Sequence, residues 1–171
     1  MSGESAVGDG GPERSAAGWG ALGERRYGEG HRPLLQPAPL SPQHRAAWTA
    51  AVDGLAVRNT GTGLYDTILA AYTTARDAYV AGMPNQVFVF TDGRDETPVD
   101  APQLATALAA ARDPKRPVQL SIVSYGREKD RAALEAVVDA VDGYVETPRT
   151  VEEVGAVFIH VAAGGLHAHD A

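Results

Sequence analysis

The chain has 171 residues, 44% of them hydrophobic, and a formal charge of −7. That length and apolar content suit one domain with a sizeable core and exclude wholesale disorder. The acidic balance, with Arg and Lys thinly spread, excludes the basic stripe that a nucleic-acid partner requires. The absence of cysteine removes disulfides, thiolate chemistry and Cys-ligated zinc.

Residues 1–17 read as a disordered leader, polar and without periodicity. Met1–Ser15 lacks the apolar core of a signal peptide, and no run of roughly 18 apolar residues occurs to span a membrane. The expectation for the chain as written is therefore cytoplasmic. Gly18–Gly23 is a short strand candidate, and an edge strand is expected around His31–Leu35, where prolines exclude a central position. Trp19 and Trp48 read as core or partly buried anchors.

Ser41-Pro42 provides an N-cap hydroxyl followed by Pro at the first helical position. Trp48, Val52 and Leu55, at i, i+4 and i+7, make Pro42–Leu55 an amphipathic helix. After the loop Arg58–Gly63, a second helix begins at Leu64 with Tyr65, Ile68, Leu69, Tyr72 and Tyr79 on one face. It stops near Gly82-Met83-Pro84. The run Gln86–Thr91 follows, an apolar strand expected to be covered on both faces.

Asp100 and Gln103 are spaced as a capping box, opening a helix with Leu104, Leu108 and Ala111 inward. Val118–Ser124 is the next strand, then a helix from about Asp130 to Val141 with Leu134, Val137, Val138 and Val141 inward. Asp142-Gly143 turns into the short strand Tyr144–Glu146. Thr150 and Glu153 form a second capping box for a helix using Val154, Val157, Phe158 and Val161, ended by Gly164-Gly165. Residues 164–171 read as a frayed tail. Strands alternating with helices of this length predict an α/β fold: an open, mostly parallel sheet with helices on both faces.

In such sheets ligands bind at the carboxyl ends of the strands. Asp92 leaves the strand Gln86–Thr91 at that end. Thr62 lies on the Gly-bracketed loop before the Leu64 helix. A hydroxyl and a carboxylate are hard oxygen donors, suited to Mg²⁺, Mn²⁺ or Ca²⁺. Asp66 reads as a first-turn helix acid favoured by the dipole. Asp95 and Glu96 read as solvated loop acids. His160, His167 and His169 approach metal-ligand spacing, but a satisfied or exposed histidine is the simpler reading. Gly61-Thr62-Gly63 lacks the Gly-Lys-Ser/Thr of a phosphate loop.

Gly61-Thr62-Gly63-Leu64-Tyr65-Asp66 and Val87-Phe88-Val89-Phe90-Thr91-Asp92-Gly93, in this order and spacing, resemble a von Willebrand factor type A (VWA) domain over roughly residues 18–163. Gly18–Leu22, Leu34–Leu40 and Gly143-Tyr144-Val145 are similar to the bacterial branch in which this domain follows a substrate-binding region. The resemblance implies a Rossmann-like fold and a metal-ion-dependent adhesion site built from three parts. These are Asp-x-Ser-x-Ser after the first strand, a Thr on a second loop and an Asp on a third. It assigns Thr62 and Asp92 to the second and third parts, as metal ligands. It also implies a non-catalytic module whose ion accepts a carboxylate from a protein partner, in relatives at the cell surface or exported.

The first part is absent: no Asp in the chain is followed by Ser at both +2 and +4. The expectation is a domain truncated at its N-terminus, lacking the first strand, which in the family lies between the second and fourth. Its metal site is then incomplete, and weak or inactive. An α/β enzyme with Asp92 as a phosphoryl-transfer or hydrolytic nucleophile is the alternative. It fits less well: the chain reads Asp92-Gly93-Arg94-Asp95 rather than Asp-x-Asp. Neither Lys115 nor Lys129 stands at a strand end.

Overall fold

The computed structural model describes residues 22–25, 31–35, 38, 41–54, 63–91, 99–125 and 131–162. The expected leader (1–17) and tail (164–171), Trp19, Leu55, and the loop acids Asp95 and Glu96 lie outside the described residues, as do His167 and His169. The side chains of Phe158, His160 and Val161 also lie outside them.

Among the described residues ten elements follow one another. An antiparallel pair, β1 (Leu22–Arg25) and β2 (His31–Leu35), comes first, followed by α1 (Pro42–Asp53) and α2 (Leu64–Asp77). Then strands and helices alternate: β3 (Gln86–Thr91), α3 (Ala101–Ala111), β4 (Gln119–Ser124), α4 (Arg131–Asp139), β5 (Tyr144–Glu146) and α5 (Val151–Ala162). Strands β3, β4 and β5 form one parallel sheet in that order, and β1-β2 forms a separate two-stranded one. The α/β expectation and the parallel sheet are therefore observed. Among the described residues no strand joins the two sheets.

The helix starts follow from local chemistry. Ser41 accepts the His44 N–H at 3.1 Å ahead of Pro42. Asp100 accepts the Gln103 N–H at 2.8 Å while the Gln103 side chain accepts the Asp100 N–H at 3.3 Å, the reciprocal box. At α5 the box is half-formed. Thr150 accepts the Glu153 N–H at 3.3 Å, but the Glu153 carboxylate reaches past Thr150 to the Arg149 N–H at 2.6 Å. Beyond α4, Asp142 adopts φ 53°. Gly143 follows because a Cβ there would lie 2.4 Å from the Leu120 carbonyl oxygen. That close approach of backbone to backbone brings β5 against β4.

Register decides which side chains share a face. Val87 pairs with Leu120, and Val89 with Ile122, which in turn pairs with Val145. These residues pack with Leu64, Ile68 and Tyr72 of α2, Leu104 and Leu108 of α3, and Leu134, Val137 and Val138 of α4. The three helices thus cover one face. The opposite face carries Gln86, Phe88 and Phe90 on β3 with Gln119, Ser121 and Val123 on β4.

Two apolar expectations need correction. β3 is not covered evenly on both faces, because Phe90 is 54% exposed. An apolar run shows that a strand is suited to burial, whereas the covering elements come from elsewhere in the chain. On α1 no residue is fully buried and Val52 is 38% exposed, so the Trp48–Val52 stripe is only partly covered. The helical face signalled by Tyr65, Ile68, Leu69 and Tyr72 does pack inward, but α2 ends at Asp77, short of Tyr79.

Candidate functional site: the carboxyl edge of the parallel sheet

Each of α2, α3 and α4 feeds the next parallel strand through a short turn, so helix and strand run in opposite directions. The helix N-termini therefore gather at the carboxyl ends of the strands, where their partial positive charge and loop backbones meet. Gly63, the N-cap of α2, and Thr91, the last residue of β3, consequently stand at the same end of the layer.

Thr62 precedes Gly63 and Asp92 follows Thr91 in the chain; both lie outside the described residues. Their immediate supports are well fixed. Leu64 is 6% exposed and tethers the start of α2 to the core. The Thr67 hydroxyl donates to the Gly63 carbonyl at 2.7 Å, and the Thr67 N–H donates to the same oxygen at 3.2 Å. Gly63 contributes no side-chain cap, so α2 begins without the hydroxyl or carboxylate that Ser41 and Asp100 give to α1 and α3. At the other support the ladder runs to the end of β3: Thr91 is in register with Ser124, and the Tyr125 N–H donates to the Thr91 carbonyl at 2.8 Å.

Ser124 is the residue that sequence reasoning missed. It closes β4 and is fully buried, and its hydroxyl has no hydrogen-bond partner among the described residues. Register puts it on the helix-covered face, in line with Leu120 and Ile122 and beside Thr91. A buried hydroxyl left unpaired costs roughly 1–3 kcal/mol. The available signal was a serine ending an otherwise apolar strand at the ligand-binding edge of the sheet.

Ser121, on the opposite face, has different surroundings. It is in register with Tyr144. Burial raises the Tyr144 phenol above its ordinary range, while the Ser121 hydroxyl pulls it back down.

The opposite end of the sheet is closed by structural polar contacts. The Arg76 guanidinium donates to the Ala111 carbonyl at 3.0 Å and pairs with Asp77, while Arg112 pairs with Asp142. Asp113 accepts from Arg116 at 2.8 Å, which holds its carboxyl below the usual range. These pairs tie the ends of α2 and α3 to the turn before β5.

Among the described residues no group of three or more His, Cys, Asp or Glu side chains could hold a metal. Thr62 and Asp92 themselves lie outside that set. The hydroxyl and carboxylate chemistry of that pair fits a hard ion, and the unpartnered Ser124 hydroxyl lies at the same edge.

No family model matches the chain. Two uncharacterized proteins of Mycobacterium tuberculosis, one from each of two strains, are 31% identical to it over 120 residues. The match covers 69% of this chain but only 17% of those curated relatives. Among solved structures, a von Willebrand factor type A protein from Catenulispora acidiphila superposes with a TM-score of 0.68 at 24% identity. That likeness covers 87% of this chain and 34% of the other.

Proposed function

From the von Willebrand factor type A fold of this chain we infer a non-catalytic binding module that engages a carboxylate of a protein partner at the carboxyl edge of its sheet. One observation carries the reading. The two segments that would present Thr62 and Asp92 are joined to Gly63 and Thr91, which the fold brings to the same edge.

In this reading the Thr62 hydroxyl and the Asp92 carboxylate are protein ligands of a Mg²⁺, Mn²⁺ or Ca²⁺ ion. The ion supplies an open coordination position for the partner's carboxylate. Thr62 depends for its placement on the buried Leu64 and the Thr67–Gly63 bonds. Asp92 depends on the β3–β4 ladder, which runs unbroken to Thr91. The N-terminus of α2 adds favourable potential for the incoming anion.

Thr62 and Asp92 supply two of the six oxygen ligands that Mg²⁺ prefers, and two ligands by themselves hold the ion weakly, on the order of millimolar. Among the described residues no helix is long and apolar enough to cross a membrane.

Calorimetric titration with Mn²⁺ tests the reading. Saturable binding by the unaltered chain, lost in Asp92→Asn and reduced in Thr62→Ala, is the expected result. Equal binding by all three proteins would remove both residues from the site.

A further inference from the structure

We propose that Phe90, Tyr125 and Glu146 form a binding site for a guanidinium group, presented as an exposed arginine of a protein partner. The site lies on the face of the parallel sheet opposite α2, α3 and α4. It does not depend on a metal ion at Thr62 and Asp92.

Register builds the site. Phe90 of β3 pairs with Val123 of β4, which pairs with Glu146 of β5, so the three residues form one row across the sheet. The Tyr125 N–H donates to the Thr91 carbonyl at 2.8 Å, which extends the ladder one residue past β4. Strand alternation then returns Tyr125 to the side of Val123, diagonal to Phe90. At ordinary strand spacing and rise, the Cα atoms of Phe90 and Tyr125 stand about 8 Å apart. More than half of Phe90 and 45% of Tyr125 meet water, while Val123 between them is buried.

The carboxylate gives the site its sign. Glu146 is half-buried and forms no ion pair among the described residues. Burial raises the Tyr144 phenol and Ser121 lowers it, and the Glu146 carboxylate raises it again, so its charge is felt along this face. None of β3, β4 and β5 contains Lys or Arg to neutralise it.

Two exposed rings beside an unneutralised carboxylate suit an organic cation. A ring face attracts a cation held within about 6 Å of its centre. A guanidinium is planar, so it can lie flat on a ring while the donors at its edge reach a carboxylate. An ammonium group has no flat face with which to do both. The openness of the rings fits a side chain carried by a macromolecule, because small-ligand sites bury roughly 70–90% of their ligand.

The test is a proton NMR titration of the full chain, free of divalent metal, with the peptide acetyl-Gly-Arg-Gly-amide. The same peptide with citrulline in place of arginine is the neutral isostere. The arginine peptide should shift the ring resonances of Phe90 and Tyr125 saturably, and the citrulline peptide should not. This comparison alters no residue of the protein, so it holds whatever a substitution does to folding. Phe90→Leu and Tyr125→Leu keep an apolar side chain but remove the ring. Each should weaken binding about two- to fivefold, as should Glu146→Gln. Asp53→Asn removes an equal charge from α1 and should leave binding unchanged.

Equal shifts with the two peptides, or no saturable shift with arginine, would overturn the inference. So would equal weakening by Asp53→Asn and Glu146→Gln, which would reduce the attraction to net charge. Tighter binding of tetramethylammonium than of the arginine peptide would make the ligand a small amine and overturn it as well. Because the titration holds no divalent metal, none of these results bears on Thr62 and Asp92.

Discussion

On the face of the sheet that α2, α3 and α4 cover, Leu120 and Ile122 are fully buried, whereas across the same strands Phe90 keeps 54% of its surface exposed. Phe90 is as apolar as Leu120 and Ile122, so the character of the side chain does not cause the difference. The helices do. The crossover helices α3 and α4 return over the same face, and α2 packs beside them to close it. The other face depends on elements outside that run of crossovers. Val123 is buried there, yet outside the main core cluster.

The largest effects should come from the covered face. Leu108→Ala or Ile68→Ala removes a fully buried side chain between the helices and the sheet and should cost about 2–5 kcal/mol in urea unfolding. Phe90→Thr should cost under about 1 kcal/mol in the same assay, because much of that ring already meets water. Comparable losses at Leu108 and Phe90 would break the contrast between the faces.

Gly143→Ala sharpens it differently. The new Cβ would meet the Leu120 carbonyl at 2.4 Å, so β5 must shift from β4. A loss of roughly 2–3 kcal/mol is expected, in the range of backbone-strain substitutions. Asp100→Ala removes only the α3 cap and should cost about 0.5–2 kcal/mol.

The smallest effect concerns pH. Burial raises the Tyr72 phenol above its ordinary value, with Arg112 and Arg76 opposing. A group whose ionisation is harder in the folded state gives stability that is present below its unfolded value, about 10. That stability is lost as pH rises through the folded value. Tyr72→Phe should flatten the decline of stability above about pH 10, measured by denaturant titration across the alkaline range. A decline as steep as in the unaltered chain would assign the alkaline sensitivity elsewhere.

Much of the covered face was legible from residue pattern. Ile68 and Tyr72, Leu104 and Leu108, and Leu134 with Val137 and Val138 recur at helical spacing, and all are buried. The Asp100–Gln103 box was legible because it is local, a matter of four residues. The Thr150–Glu153 box was only half right, since a flexible glutamate can choose between neighbouring N–H groups.

What escaped depends on tertiary neighbours. Val-Phe-Val-Phe announces a strand fit for burial but carries no record of what lies across from Phe90. Trp48 and Val52 keep helical spacing, yet α1 has no fully buried residue to show for it. At the edge, Thr62 and Asp92 were legible as motif residues, while their mutual placement lies outside the described residues. Ser124 was silent because one serine at a strand end means little until register sets it beside Thr91 and burial strips its hydroxyl of partners.

Paramagnetic broadening of amide resonances during Mn²⁺ addition tests the central claim most directly, because it locates the ion without altering a residue. Broadening should centre on the carboxyl edge, at Gly63, Leu64, Thr91, Ser124 and Tyr125, and should spare Gln86, Gln119 and Asp142 at the opposite end. Broadening centred on that opposite end, or spread evenly over the chain, would contradict a cation site at the carboxyl edge.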